Sequence, residues 1–257
     1  MTTTLVLLAH PSRQSFNAAW AEASVRALRD MGDTVIVSDL YAMGFDPAER
    51  AAHYPPDVVG APYDVLKTQQ AASETDSLPK DIRAEIDKVR QADRIILHFP
   101  LWWFAPPAMV KGWCERVLMN GGLHDTRRRF DTGDFKGRSV LFCVTTGAGA
   151  AEVAHDGKEG DIRLHLWPLA YTFRYLGYDV LTPRTVHGVH GYHRDAARTA
   201  LDARLAETLA AHPQTLAGWE DLPRLAFNAD GDFDAEGKLR ASAPSHSPFI
   251  RPCPGWT

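Results

Sequence analysis

Three consecutive aromatic residues that directly follow an apolar stretch constrain this chain more than any other feature. Residues 94–98 (RIILH) have the composition of a buried strand, and residues 99–107 (FPLWWFAPP) come immediately after them. Aromatic rings at this position are hard to explain as core alone, because the chain should be leaving the sheet there. Ligands bind at strand ends in open α/β sheets, and aromatic rings offer them a flat surface. The segment therefore predicts a site for a planar, conjugated cofactor.

The length and composition are those of a soluble globular protein with one domain and an extension. The 257 residues are 45% hydrophobic and 23% charged, which is ordinary for a globular chain. The net charge of -4 argues against a nucleic-acid partner, which needs a basic face. No apolar stretch approaches the ~20 residues of a membrane span, and the first residues do not resemble a signal peptide. We expect a cytoplasmic protein with no integral membrane segment.

The chain has no pattern that is typical of a metal site or a disulfide framework. Its three cysteines, at positions 114, 143 and 253, are widely spaced. The histidines at 187, 190 and 193 stand among glycine and tyrosine, which favours a surface or cofactor-flanking position over metal ligation. We expect no bound metal.

Apolar runs alternate with helical patterns along most of the chain. This alternation predicts a doubly wound parallel sheet, and five strands favour the flavodoxin-like order. The predicted fold class is therefore α/β, with a flavodoxin-like, doubly wound, five-stranded parallel sheet and a C-terminal extension. Cofactors in that order bind near the ends of the first and third strands. The predicted strands are 5–9, 34–38, 94–98, 139–144 and 178–181, and the predicted helices are 18–29, 81–91, 107–119, 161–176 and 195–211.

Composition divides the chain into two parts. Residues 1–212 form the predicted flavodoxin-like domain. Residues 213–257 are rich in Pro, Asp, Gly and Ser, and we expect an extended tail that packs on the body or on a partner. Residues 42–79 lack clear periodicity and are long for a structureless loop. That segment is either functional or folded in a way that the pattern does not reveal.

Two further loops are expected at the same edge of the sheet as the aromatic run. Residues 10–17 lead from the first strand into a helix, and the N–H groups and dipole of a helix start bind phosphate well. Residues 145–150 (TTGAGA) follow the fourth strand, and their small size lets a ligand approach the backbone. Phosphate at the first loop and a ring system at the other two describe a flavin nucleotide. The alternatives are an ordinary capped turn and aromatic residues buried in a core or an interface.

At these positions the chain resembles the NAD(P)H:quinone oxidoreductases, the flavodoxin-like FAD enzymes related to DT-diaphorase. The matching pieces are short, but they occur in the family's order from the N-terminus to about residue 210. The resemblance fades in residues 44–79 and is thin after residue 213. The pieces are residues 9–10 with 15–17, 38–43, 99–101 with 103–104, 107–108 with 111–113, 115–117, 145–147, 166–168, and Asp195 with Arg198.

The resemblance implies a homodimer with FAD, or FMN as the alternative, bound at the subunit interface of the flavin-binding domain. It also implies two-electron, ping-pong chemistry, in which NAD(P)H gives a hydride to flavin N5 and leaves before a quinone-like acceptor takes it up. The implied cofactor-binding residues are His10, Ser15, Phe16, Asn17 and Ala19 for the diphosphate and ribityl region, Pro100, Leu101, Trp103 and Phe104 for the isoalloxazine ring, Thr145, Thr146, Gly147 and Ala148 for its pyrimidine side, and His190 and Arg198 for the adenine end.

The chain departs from the family pattern in the loop that follows residues 145–147. Many members carry a tyrosine and a histidine there to stabilise charge on the reduced flavin, whereas this chain has Val153 and Glu159. Valine cannot donate a hydrogen bond, and an ionised Glu159 beside an anionic flavin is unfavourable. Either Glu159 is protonated or turned away, or the histidine at 155 or the lysine at 158 replaces it. The implied catalytic group is Trp103, Phe104 and Glu159, with the two rings as the side wall of the flavin.

Residues 124–130 (HDTRRRF) stand where relatives place tyrosines over the substrate. The three arginines could attract an acidic substrate or the phosphate of NADPH, and a solvated charged face is the alternative. Two other functions also stay open. One is an FMN-dependent azo- or nitroreductase, and the other is a flavin-binding regulatory subunit with little catalysis, which the loss of the tyrosine–histidine pair fits.

Overall fold

The computed structural model describes residues 1–251 and is built on a parallel β-sheet. Five strands lie side by side in the order β2-β1-β3-β4-β5, and a sixth short strand also pairs with β4. This arrangement confirms the flavodoxin-like prediction, but β6 was not predicted. The strands are β1 (Thr3–Leu8), β2 (Thr34–Asp39), β3 (Arg94–Pro100), β4 (Ser139–Thr145), β5 (Asp179–Val180) and β6 (Arg184–Val186).

Helices cover both faces of the sheet, as a doubly wound fold requires. One buried apolar cluster joins the sheet to α3, α4 and α5, and a second joins it to α1 and α6. Strands β3 and β4 are almost continuously buried and apolar, because they are covered on both sides. The helices are α1 (Phe16–Asp30), α2 (Val65–Glu74), α3 (Lys80–Gln91), α4 (Ala108–Val117), α5 (Ile162–Tyr175) and α6 (Asp195–Ala217). Within residues 1–251, no helix is long and apolar enough to cross a membrane.

The segment between β2 and α3 is folded onto α4 and is not a structureless loop. It contains α2 and one short 3-10 helix. The buried side chain of Arg116 lies 3.6 Å from the Glu49 carboxylate, which also accepts hydrogen bonds from the hydroxyls of Tyr54 and Tyr63. A Cβ at Gly112 would lie only 2.1 Å from the Pro47 carbonyl oxygen. The segment therefore packs so closely on α4 that only glycine fits at position 112.

The chain beyond α6 packs on the sheet edge and on α5. Helix α6 itself continues to Ala217, past the predicted end at residue 211. The buried Trp219 donates its indole N–H to Ser139 Oγ at 2.9 Å. The Leu225 N–H donates to the Val180 carbonyl at 2.8 Å, and the Phe227 ring lies 5.2 Å from the Trp167 ring. The last residues of the predicted tail, 252–257, lie outside the residues that the structure describes. The division of the chain into two parts at residue 212 stays a prediction.

A buried polar cluster joins α1 and α6 to the central strand β3. The Ser24 hydroxyl lies 2.9 Å from His98 Nε2 and 2.7 Å from His212 Nε2. Burial lowers the pKa of His212 from 6.5 to about 4, with a smaller contribution from the charge of Arg184. Burial and the neighbouring His212 also hold the pKa of His98 well below 6.5. Both imidazoles are therefore neutral in the folded protein at neutral pH.

Acidification is expected to destabilise the protein through this cluster. Between pH 6.5 and about 4, the unfolded chain protonates His212 while the folded chain keeps it neutral. The free energy of unfolding is therefore greatest above this window and falls as the pH falls through it, by up to ~1.4 kcal/mol per pH unit for each such imidazole.

Urea titrations at a series of pH values measure this slope. His212→Gln should flatten it by about the contribution of one imidazole, whereas the exposed His246→Gln should leave it unchanged. An equal slope in all three proteins would contradict the assignment.

Candidate active site

Three loops meet at the carboxyl edge of the sheet, as the sequence predicts, and the end of β4 holds them together. The Asn17 side-chain amide donates to Thr145 Oγ1 at 2.8 Å, so the start of α1 is fixed to the end of β4. The Leu101 N–H donates to the Thr145 carbonyl at 2.7 Å, which fixes the chain after β3 to the same residue. Thr145 and Asn17 are both buried. The relative positions of the three loops are therefore determined by buried contacts.

The first loop presents hydrogen-bond donors at the start of α1. Ser15 caps the helix, because its Oγ accepts from the Ala18 N–H at 3.1 Å. The N–H groups of Phe16 and Asn17 have no acceptor within residues 1–251. His10 Nδ1 lies 3.0 Å from the Ser12 nitrogen and 3.1 Å from the Ser12 carbonyl oxygen, and burial lowers the pKa of the His10 ring. The His10 ring is therefore neutral at neutral pH, and Phe16 and Asn17 offer backbone donors suited to an anion.

The second loop is a tight turn with two aromatic residues in an unusual backbone conformation. Trp102 and Ala105 exchange two backbone hydrogen bonds of 3.0 and 3.1 Å. Between them, Trp103 has a φ of 50° and Phe104 a φ of 61°, values that are rare for bulky residues and cluster at functional sites. The two side chains are 91% and 50% exposed. The turn therefore presents two aromatic rings and two free N–H groups at the edge of the sheet.

The third loop is narrow and is fastened to the chain that follows β6. The Thr146 N–H donates to the Val186 carbonyl at 3.0 Å, and Thr146 Oγ1 accepts from the Ala148 N–H at 3.2 Å. The Val189 N–H donates back to the Thr146 carbonyl at 2.9 Å. A Cβ added at Gly147 would meet no atom within 4 Å. Open space therefore lies directly in front of the Gly147 backbone.

A cavity of about 460 Å³ opens between the second and third loops. Its volume suits a planar cofactor ring. Beside it, the buried Asn17 Oδ1 has no hydrogen-bond partner within the described chain, and such orphaned groups often mark a ligand position. The residues present therefore fit a flavin nucleotide. The cavity is lined by Pro100, Leu101, Trp102, Trp103, Thr145, Gly147, Val189 and His190.

Comparison with known proteins agrees with this fold. Residues 2–209 match the family described as having a flavodoxin-like fold. The chain is 36% identical over 222 residues to NAD(P)H dehydrogenase (quinone) 1 of Rattus norvegicus, a match that covers 84% of this chain and 74% of the relative. The chain belongs to the NAD(P)H:quinone oxidoreductase family. Among solved structures, a candidate quinone reductase from Klebsiella pneumoniae superposes with a TM-score of 0.82 at 31% identity, covering 93% of this chain and 94% of that one.

A second solved structure shows a flavin in a related fold. General stress protein 14 of Treponema denticola, solved in complex with FMN, superposes with a TM-score of 0.56 at 25% identity and covers 83% of this chain and 99% of its own. Members of the flavodoxin-like fold use the switch point of the sheet for the cofactor. The cavity beside the Trp102–Ala105 turn lies next to that point, at the carboxyl ends of β3 and β4.

Val153 and Glu159, which are predicted to stand in place of a tyrosine and a histidine, have different surroundings from each other. Val153 is buried in the apolar core next to α5. Glu159 is half-buried, its N–H donates to the Glu152 carbonyl at 2.9 Å, and its own carbonyl lies 2.7 Å from His165 Nε2. Of the proposed substitutes, Lys158 pairs with Glu152 at 3.1 Å, and the exposed His155 lies 3.8 Å from Asp156. Neither substitute is held toward the cavity.

His165 is a candidate that the sequence interpretation missed. Its ring lies 5.3 Å from the Phe104 ring, while its Nε2–H donates to the Glu159 carbonyl. It thereby joins the loop after β4 to the aromatic turn after β3. The helical pattern of α5 gave no signal for this contact, because the contact depends on the path of the preceding loop.

Two other residues do not join the site in this structure. Arg198, on the first turn of α6, pairs with Asp202 at 2.9 Å on its own helix. Arg13, in the first loop, is held by the Asp39 carboxylate and lies 3.5 Å from Glu22.

His190, by contrast, lines the cavity and stacks on His193 with 3.9 Å between ring centroids.

Replacing Gly147 by valine is expected to remove the cofactor without unfolding the protein. The added side chain meets no protein atom near its Cβ, so the fold should tolerate it, but it projects into the space in front of the loop. The bound flavin, measured from visible absorbance per protein, should fall below about a tenth of the wild-type value.

Gly60→Val is the matched control, because an added Cβ there meets only the Pro62 carbonyl oxygen at 3.7 Å. Full flavin occupancy in Gly147→Val would show that the cofactor lies elsewhere.

Proposed function

We propose that this protein is an FAD-dependent NAD(P)H:quinone oxidoreductase that transfers two electrons by a ping-pong mechanism. The net reaction joins NAD(P)H, a proton and a quinone to give NAD(P)⁺ and a hydroquinone. The observation that carries the proposal is the cavity between the Trp102–Ala105 turn and the loop at Gly147. Family membership and a relative that is named a quinone dehydrogenase support it. A bound flavin supplies the exchange of two electrons with donor and acceptor.

The three loops have separate tasks in this proposal. The N–H groups of Phe16 and Asn17, together with the His10 ring, would hold the phosphates at the start of α1. The N–H groups of Trp103 and Phe104 would hydrogen-bond the ring system, and their side chains would form its wall. Thr146, Gly147 and Ala148 leave room for its pyrimidine side, while Pro100, Leu101 and Thr145 form the floor. Positioning and exclusion of water therefore come from the backbone more than from charged side chains.

The adenine end of FAD rests on fewer contacts than the ring end. His190 lines the cavity, but Arg198 would have to exchange its partner Asp202 for the cofactor. FMN needs neither residue, so FMN is the alternative cofactor. Chromatography of the nucleotide that denatured protein releases identifies which of the two is bound.

The proposed reductase should show two separate half-reactions. Without oxygen, NADPH should bleach the visible spectrum of the bound flavin, and a quinone such as menadione should restore it. Stopped-flow absorbance measures both steps. A bound flavin that NADPH does not bleach would contradict the proposal and would favour a regulatory flavoprotein, because Val153 and Glu159 would then mark a lost activity.

We further propose His165 as a positioning residue for this reaction. Its bond to the Glu159 carbonyl and its contact with the Phe104 ring hold two sides of the site together. His165→Ala should lower kcat roughly tenfold at unchanged flavin content, because misplacement of a positioned group is costly. His165→Gln can still donate to the Glu159 carbonyl and should recover most of the rate.

His155→Ala is the control for this variant, because the side chain of His155 is 76% exposed and lies 3.8 Å from Asp156. If His165→Ala and His155→Ala behave alike, His165 has no positioning role.

The exposed rings at the rim of the cavity support a homodimer, with a second copy of this chain as the partner. Trp103 is 91% exposed, Phe104 50% and Trp102 42%, in one contiguous turn. Contiguous apolar surface of this kind is typical of interaction sites. Light scattering should give twice the chain mass of 28.4 kDa, and Trp103→Ser should shift the protein toward the single-chain mass. A wild-type protein with the single-chain mass would contradict the homodimer.

A further inference from the structure

A second cavity, of about 730 Å³, lies between the loop after β4, the start of α5, the connection from β5 to β6 and the chain after α6. It shares no lining residue with the flavin cavity proposed above. We propose that this second cavity binds an uncharged, largely apolar aromatic molecule that carries one hydrogen-bond donor, such as an indole or a phenol. The proposal depends on the walls of this cavity and not on the proposed reductase activity.

The walls of the second cavity are mainly apolar and belong to the core. Val153, Ile162 and Leu166 are buried, and Leu225 packs against the same apolar cluster. Trp167 adds an aromatic surface to the lining. Small-molecule sites have volumes in this range and are mostly apolar with a few polar groups. An aromatic body therefore suits the cavity, because aromatic rings pair favourably with one another.

The carboxylate and the guanidinium in the lining neutralise each other. The Asp161 carboxylate accepts from Arg163 Nε at 3.0 Å and from Arg163 Nη2 at 2.6 Å. It also caps α5, because it accepts from the Arg163 N–H at 2.9 Å. The Arg163 guanidinium holds the pKa of the Asp161 carboxyl below its ordinary value, so the pair stays ionised at neutral pH. A charged ligand would lose its hydration without gaining an unpaired opposite charge from this pair.

Three histidines from three separate segments also line the cavity. They are His155, His187 and His246. Within residues 1–251, no group of His, Cys, Asp or Glu side chains could hold a metal ion. Hydrogen bonding to an organic ligand is therefore the chemistry that these imidazoles offer.

His246 is the imidazole that is available as an acceptor. Its side chain makes no hydrogen bond, ion pair or ring contact within residues 1–251. His187, in contrast, has its Nε2 3.0 Å from Thr185 Oγ1, and burial lowers the pKa of its ring. The unprotonated nitrogen of a neutral imidazole accepts a hydrogen bond. A ligand with one N–H or O–H group can therefore satisfy His246.

Hydrogen bonds and ring contacts hold the walls in place before any ligand binds. The Ile162 N–H donates to the Val153 carbonyl at 3.1 Å, which joins α5 to the loop before it. The Phe249 N–H donates to the buried Ser247 Oγ at 3.2 Å, and the Phe249 ring stacks on the Trp167 ring at 6.2 Å. The tail segment beside the cavity is thereby anchored to α5. A preformed site of this kind binds with little ordering cost.

The chain after β6 passes between the two cavities. His187 lines the second cavity, whereas Val189 lines the flavin cavity. The Gly188 N–H donates to the Ala148 carbonyl at 2.9 Å, and the Val189 N–H donates to the Thr146 carbonyl at 2.9 Å. A molecule in the second cavity would therefore leave the flavin position free.

The test uses two probes that share one ring system and differ in their hydrogen-bond donor. Isothermal titration calorimetry on the protein as purified measures the affinities of indole and 1-methylindole. Indole should bind, and 1-methylindole should bind about fivefold more weakly, because it leaves the acceptor unpaired. Indole-3-acetate adds a carboxylate to the same ring and should bind no more tightly than indole.

Variants then locate the bound probe. Ala226→Phe narrows the cavity that Ala226 lines and should weaken indole binding at least about tenfold. Ala210→Phe, on α6 outside the cavity, is the matched control and should leave the affinity unchanged. Both alanines are exposed, so the thermal transition should not change.

His246→Leu tests the acceptor. It should lower the affinity for indole to that for 1-methylindole, and it should leave the affinity for 1-methylindole unchanged. This comparison separates a lost hydrogen bond from a general loss of shape.

Several results would overturn the proposal. Indole that does not bind at millimolar concentration would exclude the site. Equal affinities for indole and 1-methylindole would contradict the role of the donor, and tighter binding of indole-3-acetate would contradict an uncharged ligand. Unchanged indole affinity in both Ala226→Phe and His246→Leu would place the bound indole elsewhere, including in the flavin cavity.

Discussion

The active-site geometry depends on the buried hydrogen bond between the Asn17 side chain and the Thr145 hydroxyl. Asn17 begins α1 after β1, whereas Thr145 ends β4, two strands away in the sheet. The bond therefore spans β3 and fixes the first and third loops in one frame. The backbone bond from Leu101 to Thr145 adds the second loop to that frame. Because Asn17 and Thr145 are buried, the loss of their hydrogen bond would leave unpaired polar atoms in the core. The site is thus as rigid as the sheet beneath it.

This rigid frame explains how the Trp102–Ala105 turn can hold two bulky residues at positive φ. Such backbone conformations persist only where the surrounding structure determines them. The turn is closed by its own two hydrogen bonds and fixed to β4 by the residue before it. The rings of Trp103 and Phe104 therefore remain exposed at the rim of the cavity. A site of this kind presents a flat surface and backbone donors without needing a charged side chain.

Much of the fold was predictable, because uninterrupted apolar runs mark buried parallel strands and the loops between them alternate with helical patterns. The same reasoning predicted which three loops meet, since the carboxyl ends of parallel strands share one edge of a sheet. The sequence could not reveal β6, which has only three residues, or the fold of residues 42–79, which depends on side-chain contacts with α4. It also could not reveal His165, whose contact with Phe104 depends on how the loop through Glu159 folds back. Nor could it separate Arg128 from the arginines on either side of it, because the ion pairs of Arg128 with Asp125 and Asp134 depend on the path of the turn.

The central claim is that the cavity beside the Trp102–Ala105 turn holds the ring system of a flavin. The most direct measurement is a crystal structure of the protein as purified with its own cofactor. We expect flavin density against Trp103 and Phe104, with the pyrimidine side at Gly147 and the phosphates at the N–H groups of Phe16 and Asn17. Flavin density at any other position, or a purified protein with no flavin and no affinity for FAD or FMN, would contradict it.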